Sequence, residues 1–289
     1  QPPGKYPRFL YELTDTSMIK SKMRLATAFI LLGILLTAGC SKDDNNDTTF
    51  NIFSVSDDIS FGNQLKNEIE ANPATYPILD KNTYPEAYQH VYRIRDSILA
   101  YGDLIYADKF DWEVDIIHND TILNAFCAPG GYICVYTGII RFLDNEAQFA
   151  GVMGHEMAHA DRRHSTDQLT KAYGIQLLIG IILGNNPGQL AEIAAGLAAG
   201  VATLAFSRDA ENESDEYSVR YLYPTAYDAR GVGGFFQKID ASGYPPVFLS
   251  THPHPDNRYQ NIEQAWTGLG GKEGQWFEES YTAFKNSLP

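Results

Sequence analysis

The 289-residue sequence is poor in cysteine and in positive charge. Three cysteines, Cys40, Cys127 and Cys134, cannot make a disulfide scaffold, and a chain this long buries a core that needs none. Lys and Arg number 22 against 36 Asp and Glu, a formal charge of −14, and the basic residues are scattered singly. That composition builds neither a basic groove nor a cationic membrane patch, so no nucleic-acid partner is expected. Internal repeats are absent too, as is low-complexity sequence beyond the first 55 residues. No apolar run reaches the roughly 20 residues of a transmembrane helix. Present instead are 44% apolar and 20% charged residues, ordinary proportions for a folded domain.

From Met18 the chain reads MIKSKMRLATAFILLGILLTAGC. Lys20, Lys22 and Arg24 precede an apolar run from Leu25 to Leu36 and then small residues, the layout of a secretory signal. The final LTAG before Cys40 resembles a lipobox, with Thr37 a tolerated variant, which implies cleavage there and acylation of Cys40. An uncleaved anchor helix is the other reading of this segment, and both predict an exported, membrane-tethered domain. Residues 1–17 precede the first methionine without any pattern and read as upstream sequence. The polar, acidic stretch after Cys40 reads as a solvated tether. Five of the 22 Lys/Arg and two of the 36 Asp/Glu lie before Cys40, so the remainder stands at −17. Its acids also resemble surface-export signals of some Gram-negative lineages; the expected location is nonetheless periplasm-facing, at the outer membrane. The organisation expected is residues 1–39 as leader, 40–55 as tether and 56–289 as one domain.

Within that domain, Ser56 is a plausible cap for a helix beginning SDDISFG, and Tyr84–Gly102 reads as a second helix. DWEVDIIHN, TILNAFCAP and GYICVYTGI are β-branched and aromatic runs that predict three strands. The last two form a hairpin with Gly130-Gly131 at its tip, a register that sets Cys127 opposite Cys134. In an oxidising compartment those two could pair; a slip of one residue leaves them as free, buried thiols. DNEAQFAGVMGHEMAHADRRH returns to helical spacing, capped by Asp144 or Asn145. The Ala- and Gly-rich run from Ile175 to Phe206 predicts short helices packed over it rather than a membrane span. Further helices are expected near Ala229–Ala241 and Pro255–Trp266. The predicted class is α+β, mostly helical, with a small antiparallel sheet.

The segment GHEMAH places His155 and His159 one helical turn apart, so that both rings project onto one ion, with Glu156 beside them as a base. From the chain's own His and Glu frequencies this pattern arises by accident in roughly one such sequence in a hundred. Its setting is apolar, and Gly151 and Gly154 stand where a helix would prefer Ala, a sign that another backbone packs close. Two imidazoles do not complete a site. His164 has the wrong spacing for a third ligand, and Gly is missing from position 162. The downstream helix FSRDAENESDEYSVRYL offers Glu211 and Asp215, four apart on one face. Glu211 is expected to bind the metal, and Asp215 to hold a ligand imidazole by its free N–H. Glu213 and Glu216 read as a solvated face.

GHEMAHADRRHS and SRDAENESDE, with NAFCAPGGYICVYTGII before and STHPHPDNR after, resemble the HtpX and CAAX-prenyl-protease family of zinc metalloendopeptidases. The likeness is closest to its soluble periplasmic, BepA-like branch, and runs from Ser56 to Trp266. It implies that Asn124, Ala125 and Phe126 form the edge strand that binds substrate backbone. The family's E-x-E-A-D block reads Glu211 to Asp215 here with Ser214 in place of Ala, a departure that touches neither expected role. The implied activity is hydrolysis of misfolded or misassembled envelope proteins with one zinc per chain, Glu156 moving the water's proton to the leaving amine. His252 is expected either to donate to the oxyanion or to block the resting site as a fourth ligand, or it is a loop histidine without a role. An assembly factor that binds outer-membrane clients and seldom cleaves is the competing reading. The stretch after Trp266 does not read as a TPR-like array, so recognition is expected to come from this domain or from a partner protein.

Overall fold

The computed structural model describes residues 51–243 and 247–289. The expected leader, the expected acylation of Cys40 and the expected tether as far as residue 50 lie outside the described residues. Helix α1 (Val55–Glu70) is capped not by Ser56 but by Ser54, whose Oγ accepts from Asp57 N while Asp57 Oδ2 accepts from Ser54 N. Such a reciprocal box needs an acid three residues after the cap, and Ser56 has Ile59 there. Helix α2 (Pro85–Tyr101) matches its expected range, with Pro85 at a position where its missing N–H costs nothing.

Three strands follow, β1 (Val114–Ile117), β2 (Ala125–Cys127) and β3 (Ile133–Tyr136), in the spatial order β1-β3-β2. β2 pairs with β3 antiparallel, but β1 pairs with β3 in parallel, so the sheet is mixed rather than antiparallel throughout. The segment joining β1 to β2 carries the chain past one strand position, and β3 returns into the gap. The hairpin register also differs by one residue from the expected one. Phe126 faces Cys134 and Cys127 faces Ile133, which puts the two thiols on opposite faces, both buried and free. The turn is a 3-10 segment, Pro129–Gly131, in place of a two-residue turn. Gly130 holds φ at +76° and lies against α1 so closely that a Cβ would come 2.8 Å from Asp58 O.

Every strand residue is buried, so the sheet divides two apolar clusters. Val114, Ile116, Ala125, Cys127, Ile133 and Val135 face the larger cluster, whereas Ile117, Phe126, Cys134 and Tyr136 face the smaller. After α3 (Thr137–Phe142), the central helix α4 (Glu146–Asp161) is capped by Asn145 Oδ1, which accepts from Gln148 N at 3.0 Å. It is buried along its whole length. Arg163 then turns left-handed (φ 59°) and α5 (His164–Tyr173) begins. Its guanidinium Nε lies 2.7 Å from Asp58 Oδ2, and Thr166 Oγ1 donates to Asp58 Oδ1 at 2.9 Å, joining α1 to the end of α4.

Helices α6 (Ile175–Ile182) and α7 (Pro187–Ala199) were expected over α4. They instead complete the smaller cluster, where Leu178, Ile181, Ile193 and Leu197 meet Phe61, Leu65 and Ile69 of α1. The reason is shape: β2 and α1 leave an apolar face of their own, while α4 is already enclosed by α8 (Arg208–Leu222) and α9 (Gly231–Ser242). A Cβ on Gly151 would lie 2.1 Å from Val232 N on α9, and one on Gly154 would lie 2.9 Å from Ser218 Oγ on α8. Both approaches are the close packing that the glycines imply. Short α10 (Phe248–Thr251), α11 (Arg258–Gly268) and α12 (Glu278–Asn286) complete the chain. The last was not expected; it seals the larger cluster with Tyr281 and Phe284, both fully buried. No helix among the described residues is long and apolar enough to cross a membrane.

Candidate metal centre

Helix α4 presents His155, Glu156 and His159, and α8 crosses it to bring Glu211 opposite. The turn after α10 delivers His252. One ligand atom from each of His155, His159, Glu211 and His252 falls within 4.8 Å of all the others, and all four residues are buried. His155 Nε2 and His159 Nε2 are 3.0 Å apart, and His159 Nε2 is 3.3 Å from Glu211 Oε1. His252 Nδ1 lies 3.3 Å from His155 Nε2 and 3.0 Å from Glu211 Oε1. Around a zinc ion at its usual bond lengths, tetrahedral ligand atoms stand about 3.3 Å apart. The donor set therefore suits zinc both in chemistry and in spacing.

Electrostatics favour the ligating forms. Burial lowers the pKa of His155 and pushes that of His159 well below the ordinary imidazole value, so both stay neutral. Burial alone would raise the Glu211 carboxyl, but His252, His155 and His159 outweigh it and hold it well below the carboxylate range. His252 is raised in turn: the pull of Glu211 and Glu156 exceeds the cost of burial. Glu156 differs from them all. Burial lifts its pKa to about 7, and neither carboxylate oxygen has a hydrogen-bond partner, the nearest charge contact being His252 Nε2 at 3.5 Å. A buried carboxylate left open in this way is set to take a proton from a molecule that enters the site.

Further side chains contact these groups from behind. Asp215 Oδ1 lies 2.9 Å from His155 Nδ1. Arg258, at the start of α11, donates to Glu211 Oε2 at 3.0 Å and to Asp215 Oδ1 at 2.8 Å, with its guanidinium 3.2 Å above the Phe236 ring centre. Phe206 stacks on His159 at 3.7 Å and Phe248 on His252 at 4.0 Å, walling the site with apolar surface. His254 stays outside it, beside Asp240.

Two further groups carry no obvious sequence signal. Glu213, expected on a solvated face, is instead half-buried, accepting from Arg162 Nε at 2.8 Å and lying 3.2 Å from His164 Nε2. Ser214, set aside as a neutral departure, is fully buried with its Oγ 3.2 Å from His164 Nδ1. Glu216 does face solvent, paired with Arg220. Asn124, Ala125 and Phe126 lie at a sheet edge, as the resemblance implies, yet that edge is covered. Asn124 Nδ2 donates to Leu197 O and Ala198 O of α7 at 3.4 and 3.3 Å, and Leu123 O accepts from Phe248 N at 3.1 Å.

The profile of peptidase family M48 matches residues 93–266. The mitochondrial metalloendopeptidase OMA1 of Arabidopsis thaliana is 31% identical over 168 residues, 57% of this chain and 34% of the relative. The beta-barrel assembly-enhancing protease of Escherichia coli (strain K12) is 33% identical over 186 residues, 60% of this chain and 38% of the relative. OMA1 of Schizosaccharomyces pombe is 28% identical over 188 residues, 63% and 54% respectively. The chain thus spans about a third to a half of the length of these curated relatives.

Proposed function

Because this chain belongs to peptidase family M48, a metallopeptidase family, we propose that it is a zinc metalloendopeptidase that cuts misfolded or misassembled cell-envelope proteins. The carrying observation is the pairing of His155, His159 and Glu211 around one point with Glu156, a buried carboxylate with both oxygens free. Those three residues would hold the metal, and zinc when bound would supply Lewis acidity to a carbonyl and to a water. Glu156 receives the water's proton on its carboxylate and returns it to the leaving amine, a task suited to a group that titrates near neutrality. Asp215 keeps His155 in the tautomer whose Nε2 lone pair faces inward, and Arg258 balances the charge of Glu211 and Asp215. The apolar walls of Phe206 and Phe248 exclude competing water.

Of the roles open to His252, the fourth ligand position is the one its geometry supports, since Nδ1 reaches His155 and Glu211 together. With the edge at Asn124, Ala125 and Phe126 also covered, this is a resting arrangement. Substrate strands add to that edge once the cover withdraws. The same observations favour a second reading, an assembly factor for outer-membrane clients that seldom cleaves. The name of the Escherichia coli relative, a beta-barrel assembly-enhancing protease, supports an envelope setting, and in this reading Cys40 supplies the lipid anchor there, periplasm-facing, with a partner protein aiding recognition. Zinc quantification and casein cleavage on the purified chain test the proposal. One zinc per chain, with cleavage abolished in Glu156→Gln, supports the peptidase. A Glu156→Gln variant that preserves the protein's role in cells favours the assembly factor instead.

A further inference from the structure

His155 and His159 are treated differently by their surroundings. His155 has a carboxylate on its outer nitrogen, Asp215, itself held by Arg258. His159 has none. Its outer nitrogen, Nδ1, lies 3.2 Å from Nδ1 of another imidazole, that of His164, a residue only 5% exposed. The left-handed turn at Arg163 makes this contact, ending α4 and swinging the fifth residue after His159 back over its ring. On the far side of that ring, His164 Nε2 is 3.2 Å from Glu213 Oε2, and Glu213 Oε1 accepts from Arg162 Nε at 2.8 Å.

Proton placement along this line has one self-consistent solution. An imidazole that gives its Nε2 lone pair to a metal keeps its proton on Nδ1 and must donate it. His164 Nδ1 must then accept, which places the His164 proton on Nε2, facing Glu213. The carboxylate end is anchored by geometry, with Glu213 Oε2 facing His164 Nε2 and Glu213 Oε1 held by Arg162 Nε. We propose that His164 and Glu213 form a relay that orients His159 for the metal, the counterpart across the site of the Asp215 contact to His155. Both histidine arms then end on a carboxylate–arginine pair, Asp215–Arg258 on one side and Glu213–Arg162 on the other. Ser214 Oγ also lies 3.2 Å from His164 Nδ1, beside this arm. The inference rests on the zinc reading of the site, and His164 and Glu213 are positioning residues, since neither contributes an atom to the ligand cluster and His164 meets His159 only at its outer nitrogen.

The test is zinc affinity, measured by competition with a chromophoric chelator on the folded, full-length chain. His164→Leu fills the space without an acceptor and is expected to weaken zinc binding roughly 10- to 100-fold. His164→Asn returns an acceptor oxygen near the Nδ1 position and should stay within about threefold of the unaltered protein. Glu213→Gln, at a half-exposed position where folding is safe, should weaken binding by about 3- to 10-fold. Cobalt substituted for zinc should show altered visible bands in His164→Leu and restored bands in His164→Asn. Unchanged affinity in His164→Leu or in Glu213→Gln overturns the relay, as does equal loss in the Leu and Asn variants. If His164→Leu does not fold, Glu213→Gln decides alone. A failure of the underlying zinc reading looks different, because the unaltered chain would then bind no zinc at all.

Discussion

Arg258 grips Asp215 from inside the protein, with Nη2 2.8 Å from Oδ1 and Nε 2.6 Å from Oδ2, while neither residue reaches solvent. Removing the arginine leaves Asp215 and Glu211 as buried anions with no cation between them. Arg258→Leu is therefore expected to cost about 3–5 kcal/mol of stability in the zinc-free protein. Saturating zinc should recover part of that loss, because the ion offsets the same charges. Chemical denaturation with and without zinc measures both quantities. Arg258→Lys is not expected to restore the wild-type value, since one ammonium cannot span two carboxylates and lie flat on Phe236.

Glu156 makes the zinc-free protein sensitive to pH in a defined direction. Burial raises its folded-state pKa from 4.5 to about 7, so the folded state holds a proton that the unfolded state releases first. Stability from this group is complete below pH 4.5 and is lost as pH rises through 7. At pH 8, Glu156→Gln should stabilise the zinc-free chain by about 1–3 kcal/mol, and below pH 4.5 the difference should vanish. Melting curves across that range provide the check; a gain that persists unchanged at pH 4 would contradict it.

His252 separates two chemical roles by the sign of one effect. As a fourth ligand that closes the resting site it slows turnover, so His252→Ala should raise peptidase activity roughly 3- to 10-fold by enlarging the competent fraction. Loss of an oxyanion donor would lower kcat by roughly 10²- to 10³-fold instead. Initial rates on casein, with zinc content measured alongside, distinguish the outcomes.

Gly151→Ala tests the seat of the central helix. The new methyl would meet the Val232 backbone at 2.1 Å, a contact that neither helix can relieve by a rotamer change. A loss of about 2–3 kcal/mol is expected, read from denaturant midpoints, with zinc affinity falling as α4 shifts.

What could be read in advance follows the range of the interactions concerned. His155 and His159, or Glu211 and Asp215, are set by helical repeat within one element, and each pair lies buried on its helix. The class of the fold was legible for the same reason, from periodicity over long stretches. The hairpin register was not, because Gly130 answers to the backbone of α1, some 70 residues earlier, rather than to its own turn. Likewise α6 and α7 chose their neighbours by which apolar face remained open. The contact of His164 with His159 is not legible from spacing, because it depends on a single left-handed residue, Arg163, that has no propensity for it. Glu213 was misread as solvated for want of that same contact.

The contact of Arg163 with Asp58, buried and reinforced by Thr166, has a mechanical meaning. It fastens the beginning of α1 to the residue two places beyond the end of the helix that carries His155 and His159. The metal centre and Phe53, whose carbonyl also accepts from Arg163, thus belong to one stiff strut. Tension applied to the protein ahead of Phe53 would load the catalytic helix at its C-terminal end instead of being absorbed in a slack joint.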